Sequence, residues 1–381
     1  MKKLKIFIVV FWPTFTQAVT IYNLGLAADS SILLPRSISD SGTVVVGYTG
    51  RNSANPLLPR VSPQAFRWSP TQEVQALGLL PGMTASMATS VSADGSKIIG
   101  TSSYRDLENP RGASRAEAFI WTAYAGIQQL LPSETQSQFS AVAISSNGET
   151  VLGSRGNTGF VYNSTVGLLD FGVTRGEGYV TPVGVNSSGT IVFGNEEFYD
   201  EENDLVGAGP FRWTQSGGTQ NLGVPNGYDY FSVSASSASG AAMVGKSGGV
   251  NLPFEEGFRW TSNGGWEVLG SLSPGDSLTY PTAINFDGSV VVGSSTEAFI
   301  WTESGGMQAL DDYLTALGGD LTGWSLGSAD AISPDGSAIA GLGWFNGEMR
   351  TYVITNVPEP SALSLMAVGL GGLAMLRRRL S

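Results

Sequence analysis

One short pattern recurs seven times along the chain and constrains the fold more than any other feature. It runs from an apolar residue and Ser or Asn to a turn residue and a first glycine, and a second glycine follows five residues later. The glycine pairs are Gly42/Gly47, Gly95/Gly100, Gly148/Gly153, Gly189/Gly194, Gly240/Gly245, Gly288/Gly293 and Gly336/Gly341. A period of tens of residues indicates a stack or ring of similar units.

Each repeat reads as four short strands. The first glycine follows Asp, Asn or Ser, which favours a hairpin because the turn requires positive φ. An aromatic segment follows the second glycine, as in Ala118-Phe119-Ile120-Trp121, and an apolar segment that ends in Leu or Leu-Gly comes next in most repeats. Alternation and aromatic content make these segments strands. Four antiparallel strands per repeat predict an all-β fold, a seven-bladed β-propeller.

The repeat boundaries predict how the ring closes. The repeats lie near residues 38–78, 91–131, 144–172, 185–223, 236–270, 284–311 and 332–355. The last one lacks a Leu-Gly strand, and residues 20–25 form such a strand without a blade. We therefore expect residues 20–25 to complete the seventh blade of a domain spanning 19–356, since a closed ring leaves no open sheet edge at the seam. An open solenoid is the alternative.

The repeats also resemble known ones. Their overall form resembles the extracellular HAF-type repeats, and Ser333-Pro334-Asp335-Gly336 is similar to the Pro-Asp-Gly repeats of periplasmic propellers. Both resemblances imply a propeller, and neither implies a catalytic residue.

The C-terminal residues 357–381 have three parts. Val357-Pro358-Glu359-Pro360 precedes an apolar run from Ala362 to Leu376, and Arg377, Arg378 and Arg379 follow it. An apolar run closed by a basic cluster predicts a transmembrane helix whose arginines stay in the cytoplasm. In this order the segment resembles the PEP-CTERM sorting signal of Gram-negative bacteria that make exopolysaccharide.

That resemblance implies a route of export and processing. It implies export, transient anchoring in the inner membrane, cleavage near Pro-Glu-Pro by an exosortase-type membrane peptidase, and then release or attachment at the cell surface. An ordinary C-terminal anchor that is never cut is the alternative.

The N-terminus agrees with export. Lys2, Lys3 and Lys5 precede an apolar stretch from Ile6 to Phe15, and small residues near Ala18 suit a signal peptidase. Residues 1–18 are therefore predicted to be a signal peptide. An uncleaved anchor is the alternative, although a membrane span needs about 20 apolar residues.

Composition excludes several functions. The chain has no histidine and no cysteine, so Ser-His-Asp and Cys-His catalysis and histidine-ligated metals are excluded. Its net charge is −12, which repels phosphate backbones, so we expect no nucleic-acid partner. The acids Asp94, Asp287 and Asp335 occupy turn positions that Asn and Ser fill in other repeats, so turn chemistry explains them.

Two groups of residues are candidate ligand sites. Tyr179, Tyr230 and Trp324 precede the first glycines of their hairpin turns by 10 to 12 residues and are candidates for stacking on sugars, although packing between blades is the alternative. An acidic segment offers carboxylates for Ca²⁺, although a solvated charge run is the alternative. Its carboxylates are Glu196, Glu197, Asp200, Glu201, Glu202 and Asp204. No other cofactor is expected.

The sequence therefore predicts an exported, non-enzymatic surface or extracellular-matrix protein, associated with exopolysaccharide or a biofilm. The alternative is an exported carbohydrate-active hydrolase or lyase that uses carboxylates in the central funnel, since two carboxyl groups suffice for glycoside hydrolysis. A purely structural spacer is a third alternative. The loops between second glycine and aromatic segment are longest in repeats 1, 2 and 4, which predicts a decorated rim on one face, unless the lengths reflect neutral drift.

Overall fold

The computed structural model describes residues 18–27, 32–50, 62–104, 115–131, 138–174, 176–199, 205–248, 255–273 and 278–358. Within these ranges the chain forms seven four-stranded antiparallel sheets, which are the blades of a ring. The predicted all-β, seven-bladed propeller is confirmed.

The strands are numbered in chain order, and each blade runs from its first, innermost strand outward. β1 is Thr20–Asn23. Blade 1 contains β2 (Ile32–Ile38), β3 (Val45–Gly50), β4 (Ala65–Ser69) and β5 (Gln72–Ala76). Blade 2 contains β6 (Ala85–Val91), β7 (Lys97–Tyr104), β8 (Arg115–Thr122) and β9 (Gly126–Gln129). Blade 3 contains β10 (Phe139–Ile144), β11 (Thr150–Arg155), β12 (Thr158–Asn163) and β13 (Gly167–Phe171).

The remaining blades follow the same order. Blade 4 contains β14 (Glu177–Val185), β15 (Ile191–Tyr199), β16 (Leu205–Thr214) and β17 (Gly218–Asn221). Blade 5 contains β18 (Tyr230–Ser236), β19 (Ala242–Gly248), β20 (Glu256–Thr261) and β21 (Gly265–Val268). Blade 6 contains β22 (Tyr280–Ile284), β23 (Val290–Ser294), β24 (Ala298–Thr302) and β25 (Gly306–Ala309). Blade 7 contains β26 (Trp324–Ile332), β27 (Ile339–Phe345) and β28 (Glu348–Thr355).

The ring is closed by its first strand. β1 pairs antiparallel with β28, with Thr20 opposite Thr355, and so becomes the outermost strand of blade 7. This arrangement agrees with the missing fourth strand of the last repeat.

The repeated turns share one geometry. In blade 2 the amide of Gly95 donates to the carbonyl of Ser92, and Gly95 has a φ of 72°. Asp94 accepts hydrogen bonds from the Ser92 hydroxyl at 2.6 Å and from the Ser96 amide at 3.0 Å. Asn147 accepts the equivalent bond from Ser145 in blade 3, so this position needs a short side-chain acceptor, and a charge is optional.

The second glycine is explained by close packing. In every blade the first strand bulges opposite it. A Cβ on Gly100 would come closer than 3.0 Å to the carbonyl of Met87 on the first strand and to the ring of Phe119 on the third. Only a residue without a side chain fits between the bulged backbone and the ring.

Seven apolar clusters hold the ring together, and each one lies between two neighbouring blades. The rings of the third strands fill them; Phe66, Phe119, Phe160, Phe211 and Phe299 are almost fully buried. Tyr352 takes this place in the degenerate seventh repeat and donates from its hydroxyl to the Ser328 carbonyl at 2.7 Å. Each blade therefore needs a neighbour on both sides to bury its faces.

One element was not predicted. The long connection from blade 6 to blade 7 contains helix α1 (Leu310–Ala316), the one helix in the described part of the chain. Leu310 and Leu314 are fully buried against the cluster between blades 6 and 7. Two apolar residues one turn apart are enough to seat a helix this short, but too few to give a recognisable period in the sequence.

Candidate functional site: the loop face and the central channel

The two ends of the ring differ in the connections they carry. We call the end with the Asp-Gly-type hairpins the turn face, because the first strand of each blade runs toward it and the second strand runs away from it. We call the opposite end the loop face, because it carries the connections from second to third strand and from one blade to the next. The long loops that the sequence predicts for repeats 1, 2 and 4 belong to the loop face, but their central residues lie outside the described ranges.

A partial ring of backbone hydrogen bonds surrounds the channel at the turn face. The amides of Asp40 and Ala93 donate to the carbonyls of Ala93 and Ser146 in the next blade, at 2.9 and 3.0 Å. Phe286 donates in the same way to Pro334 at 2.8 Å. Pro334 has no N–H, so it cannot donate across the seam from blade 7 to blade 1. The seam therefore relies on other contacts.

The central channel is lined by the first strands of all seven blades and encloses about 230 Å³. The bulge residues of these strands all contribute to its wall: Arg36, Thr89, Val142, Val183, Ser234, Thr282 and Asp330. Among the described residues that line the channel, only Arg36 and Asp330 carry a charge. These two belong to blades 1 and 7, which are neighbours at the seam, and the Arg36 charge acts on the Asp330 carboxyl group.

Arg36 and Asp330 have contrasting surroundings. The Arg36 side chain is exposed in the channel, and its guanidinium donates to the Tyr48 hydroxyl at 2.5 Å and lies 5.1 Å from the centre of the Tyr48 ring. Asp330 is half-buried, and burial raises its pKa to about 6, although a hydrogen bond from Ser328 and the Arg36 charge act in the opposite direction. A carboxyl group with this pKa exchanges its proton near neutral pH.

Aromatic side chains mark the first strands of blades 4 to 7 at the loop face. These four residues, Tyr179, Tyr230, Tyr280 and Trp324, are here called the aromatic arc. Tyr179 and Tyr230 are 48% and 36% exposed, whereas Tyr280 and Trp324 are half-buried. Tyr179 and Tyr230 are therefore exposed to solvent, as stacking on a sugar requires.

Tyr230 belongs to a polar cluster. Its hydroxyl donates to Glu255 at 2.5 Å, and the other Glu255 oxygen accepts from Lys246 at 2.8 Å. Lys246 also lies 4.8 Å from the centre of the Tyr280 ring. The hydrogen bond to Glu255 raises the pKa of Tyr230 to about 12, and Lys246 and Tyr230 lower the pKa of Glu255. Both groups therefore keep fixed protonation states at neutral pH.

Tyr179 is fixed in a similar way. Its ring packs edge-on against Tyr199, with 5.7 Å between the ring centres. The Tyr199 hydroxyl donates to Glu197 at 2.9 Å, and Glu197 is the partner of Tyr179 in the strand register. Two tyrosines are thereby held at the surface of blade 4.

Trp324 has a structural role in the described packing. Its ring lies 5.1 Å from Phe345 and 6.0 Å from Tyr352, between ring centres, in the cluster of blades 6 and 7. Trp344, which the sequence did not single out, is 45% exposed at the same face of blade 7. The sequence signal for its exposure is limited to its position, three residues after Gly341 and near the end of a strand.

The predicted acidic segment is only partly described. Glu196 is buried and accepts hydrogen bonds from the Thr174 amide, the Thr174 hydroxyl and Asn221. Glu197 follows it in β15 and so points to the other face of the sheet. The structure thus does not bring these two carboxylates together. Asp200, Glu201, Glu202 and Asp204 lie outside the described residues, within which no group of three or more acidic residues is placed to hold a metal.

The predicted sorting segment meets the propeller at Val357. Val357 is 4% exposed and its amide donates to the Ser337 carbonyl at 2.9 Å, and Pro358 is the last described residue. Glu359, Pro360, Arg377, Arg378 and Arg379 lie outside the described ranges, as do residues 1–17. No helix within those ranges is both long and apolar enough to cross a membrane.

Comparison with known proteins identifies the C-terminal segment. Residues 356–379 match the family model of the PEP-CTERM protein-sorting motif. The motif implies export and processing by an exosortase-type system. No curated protein matches the chain.

Several solved structures are similar to the chain at low identity. Virginiamycin B lyase from Staphylococcus aureus is 15% identical, with 89% of this chain and 99% of that chain covered and a TM-score of 0.48. A putative TolB from Agrobacterium tumefaciens is 13% identical over 90% and 98%, with a TM-score of 0.43. An oligogalacturonate lyase from Vibrio parahaemolyticus is 12% identical over 90% and 98%, with a TM-score of 0.38. Similarity this low carries no function to this chain.

Proposed function

We propose that this protein is an exported surface or extracellular-matrix propeller that an exosortase-type peptidase processes at its PEP-CTERM motif. The observation that carries the proposal is the match of residues 356–379, which begins one residue after β28 ends. The sorting segment follows the last strand of the ring, so its removal leaves all 28 strands in place.

The proposed route uses both ends of the chain. Residues 1–18 act as the signal peptide, and the apolar run from Ala362 to Leu376 holds the chain in the inner membrane. Arg377, Arg378 and Arg379 keep the C-terminus in the cytoplasm until cleavage. The repeats are of the HAF type in this proposal, and the mature protein reaches the cell surface or the surrounding matrix of a Gram-negative bacterium.

Mass spectrometry of the secreted and envelope fractions tests this route. In a host with an exosortase, the expected product ends near Pro358 and no longer carries the apolar run. The matched variant replaces Pro358, Glu359 and Pro360 with alanine and should remain uncut in the membrane. An uncut wild-type chain in the same host would instead identify an ordinary anchor.

We place the binding function of this non-enzymatic protein on the loop face, with exopolysaccharide as the ligand. Tyr179 and Tyr230 support this proposal because they are exposed while their surroundings hold them in place. An aromatic ring that is already ordered loses little conformational entropy when a sugar ring stacks on it.

A polysaccharide pull-down with the purified propeller tests the binding proposal. Tyr179→Ala and Tyr230→Ala should each weaken the retention of exopolysaccharide about tenfold, which corresponds to about 1.4 kcal/mol. Tyr124→Ala is the matched control, because Tyr124 is fully exposed at the turn face. Trp324→Ala is a poor probe, since its packing would be lost. Equal retention by all three variants would remove Tyr179 and Tyr230 from the binding site.

The calcium prediction remains a separate proposal. Glu197 together with Asp200, Glu201, Glu202 and Asp204 would supply the oxygen ligands, because Glu196 is already used inside the blade. Calorimetry with millimolar Ca²⁺ should show heat that Glu197→Gln reduces and Glu196→Gln leaves in place. Absence of heat in the wild-type protein rules out the site.

The enzymatic alternative is favoured by one observation, the presence of Arg36 and Asp330 in the wall of the same channel. A glycoside hydrolase needs two carboxyl groups about 5–10 Å apart, and the described channel lining supplies one. A lyase acting on a uronate polysaccharide needs a base and a cation. Asp330 would accept the proton next to the uronate carboxylate while Arg36 neutralises that carboxylate. A C=C bond would then form as the C–O bond to the leaving sugar breaks and its oxygen takes a proton from water.

Ultraviolet absorbance of the unsaturated uronate product tests the lyase. Activity on uronate polysaccharides should fall at least 100-fold in Asp330→Asn and Arg36→Gln, which corresponds to about 2.7 kcal/mol in the barrier. Ser234→Ala, another exposed bulge residue of the channel, should keep full activity. No product with the wild-type protein would exclude this alternative for the substrates used.

A further inference from the structure

Both ends of the described chain lie at the turn face of blade 7. β28 runs toward the turn face and β1 starts there, since Thr20 pairs with Thr355. The Asn356 side chain donates to the Ala18 carbonyl at 3.2 Å. In blades 1 to 6 this place is occupied by the tight turn from third to fourth strand. In blade 7 the two chain ends replace that turn, so the segments before Ala18 and after Pro358 begin at one point.

The chain leaves the propeller at a fixed position. The Val357 amide donates to the carbonyl of Ser337, a residue of the blade 7 hairpin, and its side chain is buried in the apolar cluster between blades 6 and 7. The domain therefore cannot swing freely about the residues before Pro358.

The connection from this point to the apolar run is short. Glu359, Pro360 and Ser361 are the only residues between Pro358 and Ala362. Four steps of at most about 3.6 Å give a reach of about 14 Å. A domain of this size has a radius of gyration of about 20 Å. The connection is therefore too short for the domain to turn its opposite end toward the membrane.

From this geometry we infer that the anchored protein holds its turn face near the membrane and presents its loop face to the space beyond. The inference rests on the proposed function, in which the apolar run anchors the chain. The peptidase would then approach the turn face at the seam of blades 7 and 1. A polysaccharide partner would meet the loop face, where Tyr104, Tyr179, Tyr230 and Trp344 are exposed, while the chain is still anchored.

The absence of cysteine allows a direct test by labelling. Ser41→Cys places a thiol at the turn face of blade 1, and Glu348→Cys places one at the loop face of blade 7, both at exposed positions. Tyr124→Cys at the turn face and Tyr104→Cys at the loop face form a second pair. Both variants replace a tyrosine in blade 2. Each variant is made in the uncut chain with alanine at positions 358–360, and spheroplasts are labelled with a bulky maleimide polymer.

Loop-face thiols should react at least fivefold faster than turn-face thiols in the anchored chain. The same thiols in a released chain that ends at Pro358 should react equally, which corrects for intrinsic reactivity. A stretch of 20 Gly/Ser residues inserted after Ser361 should also abolish the difference.

Two results would overturn the orientation. One is equal labelling of both faces in a chain that fractionates with the membrane, and the other is a difference that survives the long insertion. A chain that does not fractionate with the membrane would contradict the sorting route itself, and the orientation with it. The failure of the orientation is thereby distinguished from the failure of the proposed function.

Discussion

At the residue scale, the second glycine of each repeat is determined by the space around it. The bulged first strand brings a carbonyl group, and the third strand brings an aromatic ring, to the position that a Cβ would occupy. Gly100→Ala should therefore destabilise the protein by about 2–3 kcal/mol or more, because the surrounding backbone has to move. Urea unfolding measures this change.

Gly172→Ala provides the matched control for Gly100→Ala. No atom lies within 4 Å of a Cβ built on Gly172, and its φ is not positive. Its stability should stay within about 0.5 kcal/mol of the wild-type value. A similar loss of stability in both variants would show that the glycine at position 100 is not required for packing.

Asp330 makes stability depend on pH. Burial raises its folded-state pKa to about 6, above the value of about 3.9 expected in the unfolded chain. The folded state thus holds this proton more tightly, and the associated stability is present below pH 4 and lost as the pH rises through 6. Asp330→Asn should be more stable than the wild type by about 3 kcal/mol at pH 7 and equal to it near pH 3. Urea unfolding at several pH values measures the difference.

Asp94→Asn should show the opposite sign in a lower pH window. Hydrogen bonds from Ser92 and Ser96 lower the pKa of Asp94, so its stabilisation is present above pH 4 and is lost as the pH falls through the folded-state pKa. The variant should be slightly less stable than the wild type at pH 7 and equal to it in strong acid. If both variants changed stability with the same sign at pH 7, the assigned causes of the pKa shifts would be wrong.

At the element scale, the end of the propeller is set by packing and lies just beyond the last strand. Val357 lies within the matched sorting motif, and its side chain is also buried in the apolar cluster between blades 6 and 7. A chain that ends at Pro358 should have the stability of the longer protein. A chain that ends at Asn356 should fold but lose about 1–3 kcal/mol, because one buried valine and one hydrogen bond are missing.

Val357→Ala in the chain that ends at Pro358 separates the two contributions of this residue. It keeps the backbone bond to Ser337 and should lose only the part that comes from side-chain burial, about 1 kcal/mol. Thermal unfolding of the three proteins compares them. A chain ending at Asn356 that equals the chain ending at Pro358 would show that the propeller ends before Val357.

Strands and helix differ in how well the sequence predicts them. The hairpins and the strands that follow them recur in each blade, so each copy supports the assignment of the others. Helix α1 occurs once, in a connection whose length alone was informative. Its two buried leucines became recognisable only when the cluster between blades 6 and 7 was known.

At the scale of the whole molecule, stability comes from the closed ring. Every apolar cluster lies between blades, and β1 closes the ring beside β28. A circular permutant that joins Pro358 to Val19 through a short Gly/Ser linker, with new ends between Ser164 and Thr165, should keep the fold. The linker is short because the old ends are adjacent, and the new ends lie in a tight turn of blade 3 that is comparable to the natural seam.

Circular dichroism and urea unfolding of the permutant check this expectation. Its stability should match that of the chain covering residues 19–358, because the same seven clusters form. A permutant cut inside β12 is the control and should be unstable, since that strand carries the buried Phe160. If the permutant with ends in the turn failed to fold, closure at the natural seam would have a role beyond joining blades 7 and 1.

The sequence by itself determined the all-β class, the seven blades, the four strands of each and the sorting motif. These features rest on local turn chemistry and on repetition, which a linear chain displays in full. It also proposed Tyr179, Tyr230 and Trp324 as one group, because spacing along a strand does not distinguish an exposed ring from a buried one.

Only the tertiary structure decided which of these rings face solvent. It also brought Arg36 and Asp330, nearly 300 residues apart in the chain, into the wall of one channel, and set both chain ends at the turn face. These properties depend on how seven blades pack in a circle, which brings the first and last repeats together. Contacts of that kind leave no trace in the local pattern of any single repeat.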